Sequence, residues 1–220
     1  MNPRRVFAIG LALAGLAVPG PIAAAGATQD RPPQTKADDK DLKQAEENVQ
    51  QSLDVLTELT KVPEDRIPAH LLERAEAIVV IPTLVRGGFI VGAKHGTGLV
   101  SVRNRATNSW SAPAFVKMTG GSIGWQIGAQ SVDVVLLVMN KRGVDDLLSD
   151  KFTLGGSLSV AAGPVGRSAD ASTDAKMSAQ ILAYSRAKGL FAGATLEGAS
   201  IHTDDGNNEA VYGAGKDVKQ

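Results

Sequence analysis

Cysteine is absent from this 220-residue sequence, and aromatic residues make up only 4% of it. Without cysteine the protein has no disulfide, no thiolate nucleophile and no lipid attachment through sulfur. With so few aromatic side chains, the core has to consist largely of Val, Ile, Leu and Ala, and the 24 glycines permit close contacts between backbones. The 43% of hydrophobic and 21% of charged residues are typical of a globular protein.

The N-terminal segment has the pattern of an export signal. Two arginines precede an apolar run over residues 6–18, which a Pro-Gly-Pro sequence ends before a stretch of small residues. The run has 13 residues, which is fewer than the roughly 20 that cross a bilayer. We therefore predict a signal peptide over residues 1–27, cleaved near Ala27, a flexible linker over 28–37, and a periplasmic or secreted protein.

Helices are predicted at the start of the folded part. Apolar residues recur there at steps of three and four, which predicts an amphipathic helix from Asp38 to Lys61. The residues on its apolar face are Leu42, Ala45, Val49, Leu53, Leu56 and Leu59. A second, short helix is predicted over residues 68–77, with proline in its first turn.

Strands are predicted for most of the chain after residue 77, because β-branched runs and period-two alternation dominate it. They cover residues 78–82, 87–104, 114–130, 131–140, 157–162, 179–186 and 189–203, with a short helix at 142–150. One face of the second strand carries Gly88, Gly92, Gly96 and Gly98. Such a row lets another layer approach the backbone closely, or lets the sheet bend sharply.

The charges are distributed unevenly along the chain. No acidic residue lies between Ala77 and Val132, and the basic residues there are Arg86, Lys94, Arg103, Arg105 and Lys117. Residues 37–66 instead hold nine acidic and four basic residues. Either the helix docks on the sheet and the charges offset one another or stay solvated, or the basic strands contact anionic lipid, each cation adding on the order of 1 kcal/mol. These five residues are therefore the candidate lipid-binding residues.

A possible catalytic motif occurs at Gly120–Gly124, which has the G-x-S-x-G pattern of a serine hydrolase with Ser122 as nucleophile. In such enzymes a helix follows the serine, whereas here the alternation continues and predicts a strand. His202, with Asp204, is the downstream histidine that a triad would need. A hydrolase is therefore a remote alternative, and we predict no catalytic residue.

Metal, nucleotide and nucleic-acid sites are not predicted. The three histidines have no partner at a ligand spacing, and the glycine row is not followed by the Lys-Ser/Thr helix start of a phosphate-binding loop. The stretch DDGNNE (204–209) lacks the residue order of a calcium loop, so we predict a turn there. Removal of residues 1–27 leaves a net formal charge of −2, which gives no indication of nucleic-acid binding.

Four ordered blocks resemble the SYLF domain, a lipid-binding module that is also described as an actin-binding domain in yeast relatives. They read IPAHLLERAEAIVVIPTLVRGGFIVGAKHGTGLVSVRN, WSAPAFVKMTGGSIGWQIGAQSVDVVLLVMN, LGGSLSVAAGPVGR and YSRAKGLFAGATLEGASI, and the match runs from about Pro68 to Gly213. The resemblance implies a non-enzymatic module with N-terminal helices on a Gly-rich, mainly antiparallel β core. It also implies that Gly120–Gly124 belongs to a structural strand.

The functions associated with eukaryotic members of this family are phosphoinositide binding, helped by a basic amphipathic segment, and in some members actin binding. The resemblance implies that this chain could share them. The corresponding helix of this chain is acidic, which argues against that mode of binding. Actin is not expected as a partner, because an exported protein would not normally meet it.

Taken together, the sequence predicts an α+β fold with N-terminal helices packed on a mainly antiparallel, Gly-rich sheet or barrel-like core. The predicted domain covers residues 38–213, with helices over 38–77, the β core over 78–213 and a tail over 214–220. The predicted function is non-enzymatic binding of anionic phospholipid in the cell envelope through the basic strands, without cofactor or metal. An envelope scaffold that binds protein partners is the alternative.

Overall fold

A computed structural model describes residues 36–59, 67–88, 91–123, 128–149, 152–155, 159–165, 179–187, 190–194, 196 and 198–214. The predicted signal peptide and nearly all of the predicted linker and tail lie outside these residues. The helices are α1 (Lys36–Glu58), α2 (Ala69–Arg74), α3 (Lys141–Leu147) and α4 (Asp205–Tyr212).

Ten strands within the described residues form one sheet. They are β1 (Ala77–Gly88), β2 (Val91–Asn104), β3 (Ser109–Trp110), β4 (Ala114–Ile123), β5 (Gly128–Val138), β6 (Phe152–Thr153), β7 (Val160–Ala162), β8 (Ile181–Ala187), β9 (Leu190–Gly193) and β10 (Ala199–Thr203). Their order is β6-β10-β4-β2-β1-β5-β8-β7, while β3 pairs with β2 and β9 with β8. Every pair is antiparallel except β7 and β8, and the sheet curls into a half-barrel. The predicted α+β class with a mainly antiparallel core is confirmed.

The two faces of the sheet bury different sets of side chains, as period-two alternation requires. Val134, Leu136 and Ile181 belong to the cluster on one face, whereas Val135 and Leu137 point to the other. The second cluster includes Val55 of α1 and Leu71 of α2, so these helices cover that face. Full burial of such a side chain contributes roughly 1.5–3 kcal/mol, which holds the helices on the sheet.

A bulge interrupts β1 in its middle. The register of β1 shifts against β2 between Val80 and Val85, and Thr83 adopts a left-handed backbone conformation with φ of 63°. The Thr83 N–H donates to Asp133 Oδ1 of β5 at 3.2 Å. The strand therefore continues through Pro82, where we predicted its end, because a bulge tolerates a residue that cannot donate to the ladder.

The glycine row of β2 lies against this bulge. A Cβ on Gly98 would come within 2.0 Å of the Val80 carbonyl oxygen, and one on Gly96 within 2.7 Å of Ile81 Cγ2. The prediction of a close backbone approach is therefore correct at Gly98, whereas the nearest atom at Gly96 belongs to a side chain. The approaching chain is the bulged strand β1, which pairs with β2 in the same sheet and is not a separate layer.

Two predicted strands are divided in the structure. Residues 114–130 belong to β4 and β5, which are separated in the sheet by β2 and β1, while residues 124–127 lie outside the described part. Residues 189–203 likewise contain β9 and β10, which pair with β8 and β4 respectively. Alternation continues across both junctions, so the period alone could not locate the break.

The turn predicted at residues 204–209 is wrong, because α4 begins there. Asp204 is its N-cap: its Oδ1 accepts from the Asn207 N–H at 3.3 Å, and Oδ2 accepts from Asn207 Nδ2 at 2.8 Å. Asn208 then binds the backbone of Phe115 in β4 through its amide, with distances of 2.8 and 2.9 Å. The same Asp and Asn residues that favour turns serve here as a cap and as tertiary anchors.

Candidate functional site

An apolar pocket of about 530 Å³ lies between α1, α2 and the sheet. Its volume falls in the range of roughly 300–1,000 Å³ that is usual for small-molecule sites. Apolar lining residues include Val49, Leu53, Leu56, Leu72, Val80 and Leu99. The pocket exists because α1 does not press its whole apolar face onto the sheet.

The orientation of α1 differs from the predicted one. The most buried residues on its sheet side are Ala45, Asn48, Ser52 and Val55, with Leu59 just beyond its end. Leu53, which we predicted to face the core, is 52% exposed at the pocket. The helix is turned so that two polar residues lie beneath it, and this leaves part of its leucine row beside an open space.

The two polar residues beneath α1 differ in their bonding. Asn48 Nδ2 donates to Thr97 Oγ1 of β2 at 2.8 Å, which fixes the helix to the sheet. The Ser52 side chain lines the pocket, and its hydroxyl is buried without a hydrogen-bond partner. An unpartnered buried hydroxyl costs free energy, so this orientation of α1 is locally unfavourable at Ser52.

Arg103 and Trp110 form one end of the pocket. The Arg103 guanidinium lies 4.3 Å from the centroid of the Trp110 ring, and the two residues are directly opposed in the β2–β3 pair. Arg103 Nε donates to the carbonyl of Ala75 at 3.1 Å, and Nη2 to that of Leu72 at 3.0 Å. Among the described residues no carboxylate lies within 4.0 Å of this guanidinium, so uncharged groups hold it in place.

The five candidate lipid-binding residues do not form one cluster. Arg105 pairs with Glu76 at 3.1 Å and donates to the carbonyl of Arg74, and Lys117 Nζ lies 2.8 Å from the buried Asp204 carboxylate. Arg86 and Lys94 oppose each other towards the other end of the β1–β2 ladder, and the Arg86 side chain lies outside the described part. Of these residues, Arg103 is the one that lines the pocket.

Ser122 lies in β4, opposite Gly92 of β2, and not on a strand-to-helix turn. His202 of β10 is opposite Lys117, five residues along β4 from Ser122. At about 3.4 Å per residue, the two are separated by roughly 17 Å along the strand. His202 is therefore too far from Ser122 to act as its general base.

Among the described residues, no group of three or more His, Cys, Asp or Glu side chains is arranged to hold a metal ion. Within the same part of the chain, no helix has both the length and the apolar character to cross a membrane.

Fold and pocket together define a helix-covered β half-barrel with an open apolar pocket between the helices and the sheet. The chain belongs to the SYLF, or Ysc84, family, as the four sequence blocks predicted. The family model described as "Ysc84: Las17-binding protein actin regulator" matches residues 119–220. The described residues that line the pocket all precede this match.

Relatives of this family are similar over a longer stretch. Protein YSC84 of Saccharomyces cerevisiae is 35% identical over 150 residues, which are 67% of this chain and 32% of that protein. SH3 domain-containing YSC84-like protein 1 of Homo sapiens is 32% identical over 164 residues, which are 72% of this chain and 47% of that protein. The chain thus spans a third to a half of the length of these curated relatives.

Proposed function

We propose that this protein is a non-enzymatic lipid-binding module, and that the pocket beneath α1 takes up a hydrocarbon chain. The supporting observation is an apolar space of about 530 Å³ whose lining includes the half-exposed Leu53 and the partly exposed Trp110. Burial of apolar ligand surface there contributes roughly 25 cal/mol per Å², which favours a ligand with a long alkyl part.

The mode of binding differs from adsorption onto a row of basic strands. Arg105 and Lys117 are engaged in ion pairs with Glu76 and Asp204. Attraction of a membrane surface by these two cations is therefore reduced, since their charges are offset within the protein. Uptake of the chain into the pocket then supplies most of the affinity, and we propose that this occurs in the cell envelope after export.

A scaffold that binds protein partners is the second candidate. The names of relatives, such as LAS seventeen-binding protein 3 of Saccharomyces cerevisiae, describe binding to another protein. Exposed Leu53 and Trp110 could equally be covered by an apolar side chain of a partner. A partner would compete with lipid for the same residues, which makes the two candidates experimentally separable.

Native mass spectrometry of the full-chain protein incubated with mixed phospholipids and fatty acids tests lipid binding. We expect one bound amphipath per chain, and loss of it in Leu53→Asp, because a carboxylate would enter the apolar pocket. Leu190→Asp is the matched control, since Leu190 is 58% exposed and does not line the pocket. The scaffold would be favoured if the wild type carried no lipid but bound one protein partner stoichiometrically, and if Leu53→Asp released that partner.

A further inference from the structure

We infer that the pocket binds a single-chain anionic amphipath, such as a long-chain fatty acid, with its charged headgroup at Arg103 and its chain beneath α1. This inference rests on the proposed function and specifies the ligand class. Two properties of the pocket support it: its size and the state of the Arg103 guanidinium.

The size of the pocket is sufficient for an alkyl chain. Its volume of about 530 Å³ lies within the range of roughly 300–1,000 Å³ that is usual for small-molecule sites. Competition by a two-chain phospholipid tests whether a single chain fills it.

The Arg103 guanidinium provides a fixed positive charge at the end of this space. Three of its five N–H donors are engaged, with the carbonyls of Ala75 and Leu72 and with Asn108 Oδ1. All three acceptors are uncharged, so two N–H donors and the full charge are available to a ligand anion. Arginine binds a carboxylate through parallel hydrogen bonds, and stacking on Trp110 keeps the guanidinium plane oriented for this.

The charges around Arg103 are compatible with an anionic headgroup. Arg105, two residues further along the chain, donates through Nη1 to the Glu73 carbonyl at 3.3 Å, which brings a second guanidinium to the same helix end. Its charge is offset by Glu76. The Glu73 carboxylate also lines the pocket and opposes an anion there, but Glu73 is exposed, so solvent screens its charge. Arg103 is therefore the cation that a ligand anion would neutralise.

Displacement of a bound fluorescent fatty acid, cis-parinarate, from the full-chain protein tests the inference. Palmitate, methyl palmitate and dipalmitoyl phosphatidate are the competitors, and they differ in charge and in chain number. We expect palmitate to displace the probe at a concentration about tenfold lower than methyl palmitate, the ratio expected for one charge-assisted contact. Dipalmitoyl phosphatidate should compete poorly, because a single chain is inferred to fill the pocket.

Substitutions then assign the headgroup to Arg103. Arg103→Gln should abolish the preference for palmitate over its methyl ester, while Arg103→Lys should retain part of it. Arg105→Gln is the matched control and should keep the preference, because the Arg105 charge is already paired with Glu76. Circular dichroism verifies that each variant is folded. If Arg103→Gln does not fold, the competitor series on the unmodified protein still tests whether the pocket prefers an anionic headgroup.

The outcomes separate the inference from the proposed function. If cis-parinarate and the lipids do not bind at all, the proposed function itself is wrong. If the probe binds but methyl palmitate competes as well as palmitate, or Arg103→Gln keeps the preference, only the headgroup assignment is overturned. Equal competition by dipalmitoyl phosphatidate would overturn the single-chain assignment.

Discussion

Gly98 of β2 lies directly beneath the carbonyl group of Val80, so that a methyl group at position 98 would come within 2.0 Å of the carbonyl oxygen. The backbone of the bulged strand β1 can come this close to β2 because Gly98 has no side chain. The consequence is a sharp local requirement for glycine in a strand, where glycine is otherwise unfavourable.

Gly98→Ala should therefore lower the free energy of unfolding by at least about 1–3 kcal/mol, as overpacking against backbone does. Urea unfolding followed by circular dichroism measures the change. Gly121→Ala in β4 is the control, because a Cβ there meets nothing within 4 Å, and its effect should stay within about 0.5 kcal/mol. Equal losses in both variants would contradict the proposed close approach.

Asp204 connects α4 to the sheet, so its removal should be costly. Its side chain is 2% exposed, caps α4 and pairs with Lys117 at 2.8 Å. Asp204→Ala loses a cap worth about 1 kcal/mol and leaves Lys117 without its partner in a partly buried ion pair. We therefore expect the free energy of unfolding to fall by roughly 2–3 kcal/mol in total. Thermal and urea unfolding measure it.

Asp205→Ala is the matched control for this prediction. Asp205 is exposed in the first turn of α4 and interacts mainly with the helix dipole, which contributes only a few tenths of a kcal/mol. Asp204→Ser should be intermediate, since serine caps the helix but cannot pair with Lys117. If Asp204→Ala were no more destabilising than Asp205→Ala, the anchoring role would be wrong.

The buried phenol of Tyr184 should lower the free energy of unfolding in alkali. Burial raises the pKa of its phenol above the usual 10.0, and the hydroxyl is buried without a hydrogen-bond partner. The folded protein keeps this proton while the unfolded chain releases it above pH 10. This contribution to stability is therefore present below pH 10 and decreases by up to about 1.4 kcal/mol per pH unit as the pH rises further.

Tyr184→Phe removes this titration and should flatten the decline in urea midpoint between about pH 10 and 11. At pH 7 the variant should be as stable as the wild type or more stable by about 1 kcal/mol, because no hydrogen bond is lost. Tyr212→Phe provides a contrast, since the Tyr212 hydroxyl donates to the Pro113 carbonyl and its loss should destabilise at pH 7. An unchanged alkaline slope in Tyr184→Phe would show that the phenol is not buried in solution.

Ser122→Ala should not change the reactivity of the protein towards serine-hydrolase probes, because Ser122 is not a catalytic nucleophile. Ser122 belongs to β4, and His202 of β10 lies opposite Lys117, which is five residues from Ser122 along β4. Neither the wild type nor the variant should react with a fluorophosphonate probe, which gel fluorescence would detect. Labelling of the wild type that disappears in Ser122→Ala would restore the hydrolase alternative.

The elements themselves could largely be predicted from the sequence, because apolar periodicity is a local property. The alternation that indicates β2 and the apolar run that indicates β5 both follow directly from neighbouring residues. Helix α4 could not, since the stretch DDGNNE becomes helical through the Asp204 cap and through contacts with Phe115, which is distant in sequence.

The pocket was harder to predict than the fold, for a physical reason. Asn48 and Ser52 interrupt the apolar side of α1, but the leucine row beside them suggested that Leu53 faces the core. Only the sheet decides between the two orientations, because Thr97 of β2 offers Asn48 a hydrogen bond. Arg103 was predicted as a lipid contact from its charge, whereas its contact with Trp110 depends on the β2–β3 pairing.

Photo-crosslinking with a fatty acid that carries a diazirine in its chain tests the central claim most directly, namely that hydrocarbon enters the pocket beneath α1. We predict that peptide mass spectrometry will find the label on α1, near Leu53 and Leu56, and on β2, near Leu99, and that excess palmitate will prevent labelling. Labelling concentrated on α4 or β8, with no label on α1 or β2, would contradict the claim.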